Sequence, residues 1–295
     1  MPVLKQQNLF GLEHSASVIN VASVSQLSPF RYPGGKTWLV PYVRAWLRSL
    51  SFRPTLFVEP FAGGGIIGLT VAAENLAERV LLVELDQQVA AVWQTILGGE
   101  AAWLAEQIVS FDLTHENAAL VFSKPPSSMR EMAFQTILKN RIAHGGILAP
   151  GAGLIKHGEN GKGIKSRWYP QTLKRRILGI ESLKDKIEFV EGDGISVLRQ
   201  QAKLQRAAFF IDPPYTVDGK KAGKRLYAHN EIDHETLFTV TASLAGEFLM
   251  SYDNEDAVAE LAKKNQLTTR LVAMKNTHHA EMRELLIGRA FDWLD

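Results

Sequence analysis

The stretch "AFFIDPPYTV" (residues 208–217) is apolar for four residues and then delivers Asp212, Pro213, Pro214 and Tyr215. Each proline locks its own φ at about −65°. The residue before a proline is pushed towards extended backbone. Two readings of this corner are open. It is a strand end closed by a turn, since Asp and Pro are common turn residues, or it is a carboxylate held rigid for chemistry beside an aromatic ring.

A second stretch, "FVEPFAGGGIIGL" (57–69), sets Gly63, Gly65 and Gly68 in a G-x-G-x-x-G pattern between an apolar run and a helical one. Glu84 follows Gly63 by 21 positions, at the end of the next apolar run. This is the layout of a nucleotide-binding βαβ unit, in which glycines permit close backbone approach and the acid accepts from ribose hydroxyls. A dinucleotide fits on spacing alone. Glu59, just before the loop, argues otherwise: it would repel a pyrophosphate and attract the ammonium or sulfonium of S-adenosylmethionine. Upstream, "RYPGGK" (31–36) invites a phosphate-loop reading, but that motif wants a glycine five places before its Gly-Lys pair. Phe30 stands there, and no strand precedes it. The stretch instead offers Tyr32, a tight turn at Gly35 and the cation Lys36 to close over a cofactor.

These residues need elements to hold them. Strands are expected at 55–60, 79–85, 186–193, 207–214, 247–254, 268–275 and 283–289. Helices are expected at 65–77, 87–108, 195–204 and 255–264. Near-continuous apolar strands alternating with amphipathic helices predict an α/β fold, a mostly parallel twisted sheet covered on both faces. At 295 residues, 46% of them hydrophobic, the chain is expected to bury one sizeable core, or one large core plus a small appended domain. Residues 1–27 read as a flexible leader.

The chain has no cysteine, which excludes disulfides, zinc–thiolate sites and a cysteine nucleophile. His278, His279 and "YAHNEIDH" (227–234) match no zinc spacing, so no metal is expected. No apolar run reaches the roughly 18 residues that a membrane span requires, and the N-terminus carries no secretion signal. A cytoplasmic protein, monomer or weak dimer, is the expectation.

Residues 110–182 interrupt the alternation. The first part looks helical. The second is glycine-rich and basic, with seven cations against Glu159 alone over residues 156–176, a local +6 in a chain of net +2. Lys156, Lys162, Lys165 and Arg167, with Trp168 among them, suit a phosphate backbone with a ring to stack on bases. Residues 218–230, which include Lys224 and Arg225, read as a mobile basic loop after the Asp-Pro-Pro corner.

Taken in order, "RYPGGK", "FVEPFAGGG", the acid of "VELDQ", "EGDG" and "FIDPPY" resemble the Dam-like adenine-specific DNA methyltransferases, over residues 29–288. "FLMSYDN" and "MRELLIG" resemble later, weaker segments of that family. The resemblance implies a Rossmann-like S-adenosylmethionine-dependent fold. It makes 28–109 and 183–295 the catalytic domain and 110–182 an inserted target-recognition region. It also implies double-stranded DNA as partner and methyl transfer to N6 of a flipped-out adenine. Tyr32, Gly35, Lys36, Glu59, Phe61, Gly63 and Gly65 would contact the cofactor. Glu84, where relatives carry aspartate, would hold the ribose, with Asp86 a weaker candidate, and Asp193 would lie beside the cofactor's adenine. Asp212, Pro213, Pro214 and Tyr215 would hold the target base. The amino nitrogen of adenine is a poor nucleophile; a carboxylate and a fixed proline carbonyl accepting its two protons would turn its lone pair outward. RNA or a cytosine amino group would suit the same corner, and a dinucleotide oxidoreductase is the reading from another enzyme class.

Overall fold

The computed structural model describes residues 24–31, 35–149, 153–155, 158, 161–214, 232–275 and 281–294. Tyr32, Lys156, Tyr215, Lys224, Arg225, His278 and His279 lie outside them, as do residues 218–230.

Seven strands form one sheet: β1 (Leu56–Glu59), β2 (Arg79–Glu84), β3 (Ile187–Glu191), β4 (Ala207–Ile211), β5 (Glu247–Asp253), β6 (Thr268–Lys275) and β7 (Glu281–Gly288). Their order across the sheet is 3-2-1-4-5-7-6. Neighbours from β3 to β5 are parallel, and β7 runs antiparallel to both β5 and β6. The sheet is thus the mostly parallel, Rossmann-like one expected.

Alternate residues of the central strands β1, β2, β4 and β5 bury on opposite faces, which is why these strands read as apolar runs. Phe57, Val80, Leu82, Ala208 and Phe210 join one core. That core is completed by α1 (Val40–Ser49), α2 (Ile66–Ala73), α3 (Gln87–Thr95), α4 (Ala101–Ser110), α5 (His115–Phe122), α6 (Met129–Ile142) and α7 (Pro170–Glu181). Val58, Leu81, Val83, Phe209 and Ile211 face the other way, onto α8 (Gly194–Gln201), α9 (His234–Ala242) and α10 (Asp256–Lys264).

The helix expected over 87–108 forms as two. Gly98 and Gly99 interrupt it, with Gly99 at φ 92° in a π-turn of residues 96–100. Within residues 110–182, α6 packs on α3 and α7 on α4. Val24, inside the expected leader, is buried in the same core.

The winding places the functional end. The chain enters at β1, proceeds outward to β2 and β3, then crosses back to β4 beside β1. Helices leave β1 and β4 on opposite faces, so a crevice opens at the carboxyl ends of these two strands, the place where open α/β sheets bind ligands.

Candidate active site

A cavity of about 670 Å³ occupies that crevice. Four neighbouring strands each present an acid to it: Glu59 ends β1, Glu84 ends β2, Asp193 follows β3 and Asp212 follows β4. Gly35, Lys36, Phe61, Gly63, Gly65, Asp86, Pro213 and Pro214 line it too. All the expected cofactor-site residues that are described therefore meet in one place.

The glycine loop is shaped from below. Gly63 and Gly65 take φ of 47° and 61°, backbone that favours glycine. A Cβ on Gly65 would lie 2.8 Å from the Trp93 ring. Trp93 Nε1 donates to Gly63 O at 3.0 Å. Glu59 Oε2 accepts from Gly68 N–H at 2.7 Å, capping the first turn of α2 from the strand end. Burial holds the Glu59 carboxyl up at about 8; the Gly68 bond opposes this and the charge of Asp212 adds to it. A buried carboxyl on a cavity wall, next to a second acid, suits a cationic ligand group.

Glu84 is engaged by the backbone around it. Its Oε2 accepts from Gly63 N–H at 2.8 Å, and its Oε1 from the N–H groups of Leu85 and Asp86, both at 2.8 Å. A carboxylate offers about four lone-pair sites, so Glu84 is chiefly a brace that ties the glycine loop to β2. Its extra methylene, relative to aspartate, provides that reach. Burial pushes it up to about 7 against the pull of these N–H groups. Asp86 Oδ1 caps α3, accepting from Gln88 and Val89 N–H. Asp193 caps α8, accepting from Ser196 N–H at 2.9 Å and Ser196 Oγ at 2.7 Å.

Lys36 lines the cavity and is also held by two acids. It is 7% exposed and lies between two carboxylates, its Nζ 3.0 Å from Asp212 Oδ1 and 3.1 Å from Glu284 Oε1. Burial works against its charge, but the two carboxylates outweigh that and raise its pKa. Its first contact is thus with the Asp-Pro-Pro corner, which it orients. Ser251 Oγ donates to the same Asp212 Oδ1 at 2.8 Å. Tyr252, buried next in line on β5, is raised by burial and by the charge of Asp212. Sequence reading assigned no role to Glu284 or Ser251, although both lie in segments resembling the family's later motifs.

The basic segment divides. Arg167 lines the cavity. Lys162 is exposed, and Lys165 is exposed and pairs with Asp112 at 3.3 Å. Trp168, expected to stack on bases, is 5% exposed and packs edge-on to Phe111 in the core. That expectation is corrected: a ring consumed by the core has no face to offer a base. Arg176, one of the seven cations of the basic segment, also lines the cavity, as do Arg31 and Arg141, to which sequence reading gives no role.

Among the described residues, no group of three or more His, Asp or Glu side chains is placed to hold a metal, and no helix is long and apolar enough to cross a membrane.

The chain matches no protein-family model and no curated protein sequence. It is similar to several solved structures. An rRNA methyltransferase from Streptomyces viridochromogenes is 14% identical, with 96% of this chain and 95% of that one covered and a TM-score of 0.40. A methyltransferase from Geobacter sulfurreducens is 12% identical, with 88% and 81% covered and a TM-score of 0.39. A precorrin-6y C5,15-methyltransferase from Geobacter metallireducens is 9% identical, with 84% and 85% covered and a TM-score of 0.36. Superpositions this loose carry no argument about substrate or chemistry, and the fold rests on the strand order itself.

Proposed function

We propose that the chain is an S-adenosylmethionine-dependent methyltransferase that methylates an exocyclic amino group of a nucleic-acid base, adenine N6 in double-stranded DNA. The observation that carries this reading is the shared cavity. The corner Asp212-Pro213-Pro214 and the acid-flanked glycine loop, motifs far apart in sequence, line the same crevice at the carboxyl ends of adjacent strands.

The residues present fit the cofactor. Glu59 offers a buried carboxyl to a cationic amino-acid moiety, Glu84 retains room for a ribose hydroxyl, and Asp193 stands at the next strand end, beside an adenine's place. Bound there, the cofactor supplies an electrophilic methyl group.

The chain's own part is to hold the acceptor nitrogen. Lys36 and Ser251 fix Asp212 Oδ1, so the carboxylate arrives with a set plane. Pro213 and Pro214 restrict the backbone that follows, which aims the Pro213 carbonyl before substrate binds. Two acceptors on one amino group draw its protons to one side and its lone pair to the other, a preorganised electrostatic effect. A base inside a duplex does not reach a crevice of this kind, so extrusion is required, at about a few kcal/mol. Glu284 neutralises the second side of Lys36 and leaves the triad with a net negative charge towards the base.

The test is methyl incorporation from labelled S-adenosylmethionine into duplex DNA, single-stranded DNA and RNA, followed by nucleoside analysis. The expected product is N6-methyladenine in duplex DNA. Asp212→Ala is expected to lower transfer by at least about a hundredfold, the scale of losing one preorganised electrostatic group, while cofactor binding measured by calorimetry persists. Methyl groups found on RNA alone would overturn the DNA reading. Transfer by Asp212→Ala near the wild-type rate would overturn the catalytic assignment.

A further inference from the structure

Besides the four acids, Arg31, Arg141, Arg167 and Arg176 line the cavity, and the charges of the other three bear on Arg141. The arginines come from the segment ahead of Lys36, the last turn of α6, the 3₁₀ turn Gly163–Arg167 and the middle of α7. Some of their donors pin the 28–31 backbone. Arg141 Nη2 donates to Pro29 O, and Arg176 Nη1 to Ser28 O at 3.0 Å. Asn140 grips both backbone groups of Arg31, accepting from its N–H and donating to its carbonyl, each at 2.8 Å.

Two other donors have no acceptor among the described residues. Arg141 is 4% exposed, yet its Nε, like Arg31 Nη1, is buried with no acceptor among the described residues. Arg31, Arg141 and Arg176 form no ion pair with any carboxylate among those residues. Burial, then the charges of Arg176, Arg31 and Arg167, pushes Arg141 down to about 9. Buried, mutually repelling cations are costly unless an anion joins them.

Tyr169 lines the cavity with them. It holds φ 39° although it is not glycine and Pro170 follows it, and its side chain is 48% exposed. Such strained backbone concentrates at ligand sites.

We propose that the arginine-lined part of the cavity is a phosphate subsite, seating a backbone phosphate next to the target nucleotide, with the Tyr169 ring as a face beside it. This rests on the reading that the substrate is a nucleic acid. Guanidinium groups from four separate segments of the chain line one cavity. That arrangement suits the tetrahedral oxygens of a phosphate, whereas a planar carboxylate is satisfied by a single fork. The exposed Lys162 and Lys165 lie in the same short segment as Arg167.

The experiment is calorimetric titration of adenosine, adenosine 5′-monophosphate and adenosine 3′-monophosphate into the protein, with and without S-adenosylhomocysteine. At least one monophosphate is expected to bind about tenfold more tightly than adenosine, equivalent to about 1.4 kcal/mol. In Arg31→Gln and Arg176→Gln, both partly exposed positions, that preference is expected to collapse to within about twofold. Affinity for S-adenosylhomocysteine is expected to hold, and Arg176→Lys to keep part of the preference. Equal binding of adenosine and both monophosphates by the wild-type protein would overturn the proposal. So would variants that lose S-adenosylhomocysteine and keep the nucleotide preference, since the arginines would then serve the cofactor's carboxylate. A protein that prefers the monophosphates but methylates no nucleic acid would keep the subsite and lose the enzymatic reading.

Discussion

Replacing Lys36 with methionine removes the ammonium at the centre of the Asp212–Lys36–Glu284 triad and little of its volume. The cation is buried and bonded to both carboxylates. Without it two like charges face one another. Their nearest oxygens lie no more than about 6 Å apart, because both bind one nitrogen, and at an effective dielectric of about 20 they repel by roughly 3 kcal/mol. The lost attractions are larger still, but removing the lysine also removes its own desolvation cost. Buried pairs broken from one side lose about 3–5 kcal/mol in net terms. At about 2–3 °C per kcal/mol for a chain of this size, Tm falls by roughly 6–15 °C.

The pH dependence carries the diagnosis. In Lys36→Met, ionising either carboxyl costs more in the folded protein than in the unfolded chain. The folded variant therefore holds protons that the unfolded chain releases, and its stability falls as pH rises from about 4. In stronger acid both carboxyls are neutral and the gap from wild type narrows. The double variant Lys36→Met/Glu284→Gln leaves one carboxylate, which removes the repulsion of roughly 3 kcal/mol. Urea or thermal denaturation of the three proteins between acid and neutral pH reads each of these. A single variant within about 1 kcal/mol of wild type at neutral pH, the ceiling for an exposed pair, would refute the buried triad. A double variant no more stable than the single one would refute the like-charge term.

Glu59, held up at about 8 by burial against an ordinary value of 4.5, keeps in the folded protein a proton that the unfolded chain sheds. Across that window the stability of the cofactor-free protein falls by up to about 1.4 kcal/mol per pH unit. Glu59→Gln is expected to flatten the slope of Tm against pH, and an unchanged slope would contradict the assignment. Glu84→Ala frees the N–H groups of Gly63, Leu85 and Asp86; S-adenosylhomocysteine is expected to bind at least about tenfold more weakly, a loss of about 1.4 kcal/mol, and equal affinity would remove Glu84 from the role of brace. Gly194→Ala places a Cβ 2.2 Å from Pro60 O and 2.9 Å from the Phe61 ring, so overpacking is expected to cost about 1–3 kcal/mol. Gly98→Ala, with nothing within 4 Å of its Cβ, is the control, and equal melting of the two variants would refute the contact.

What the sequence disclosed and what it hid divide along a physical line. The central strands were legible because a sheet covered on both faces makes each of them an apolar run, as in "RVLLVE" and "AAFFI". The acids were legible because each stands at a strand end, a position fixed by counting along the chain. Helix α1 went unread although Pro41 at its start and buried Val40, Val43, Trp46 and Leu47 are helix signals. The break between α3 and α4 was visible as Gly98-Gly99 but not weighed. Trp168 was misplaced because composition tells which residues accompany a ring, not which side of a surface the ring is on.

The electrostatic partners were hidden for a deeper reason. Asp212, Ser251 and Glu284 are neighbours because β4, β5 and β7 are consecutive in the sheet, and Lys36 reaches them from the far end of the chain. Arg31, Arg141 and Arg176 reach the cavity from three segments in the same way. Periodicity reports which face of an element is buried, and spacing reports local motifs; neither reports the order in which strands are laid down. The charge pairing of a site built at a topological switch point depends on that order. The groups that set the charge of this cavity, the triad behind Asp212 and the buried Arg31 and Arg141, are for that reason the ones a single sequence conceals, while the glycines and strand-end acids that shape the crevice stay in plain view.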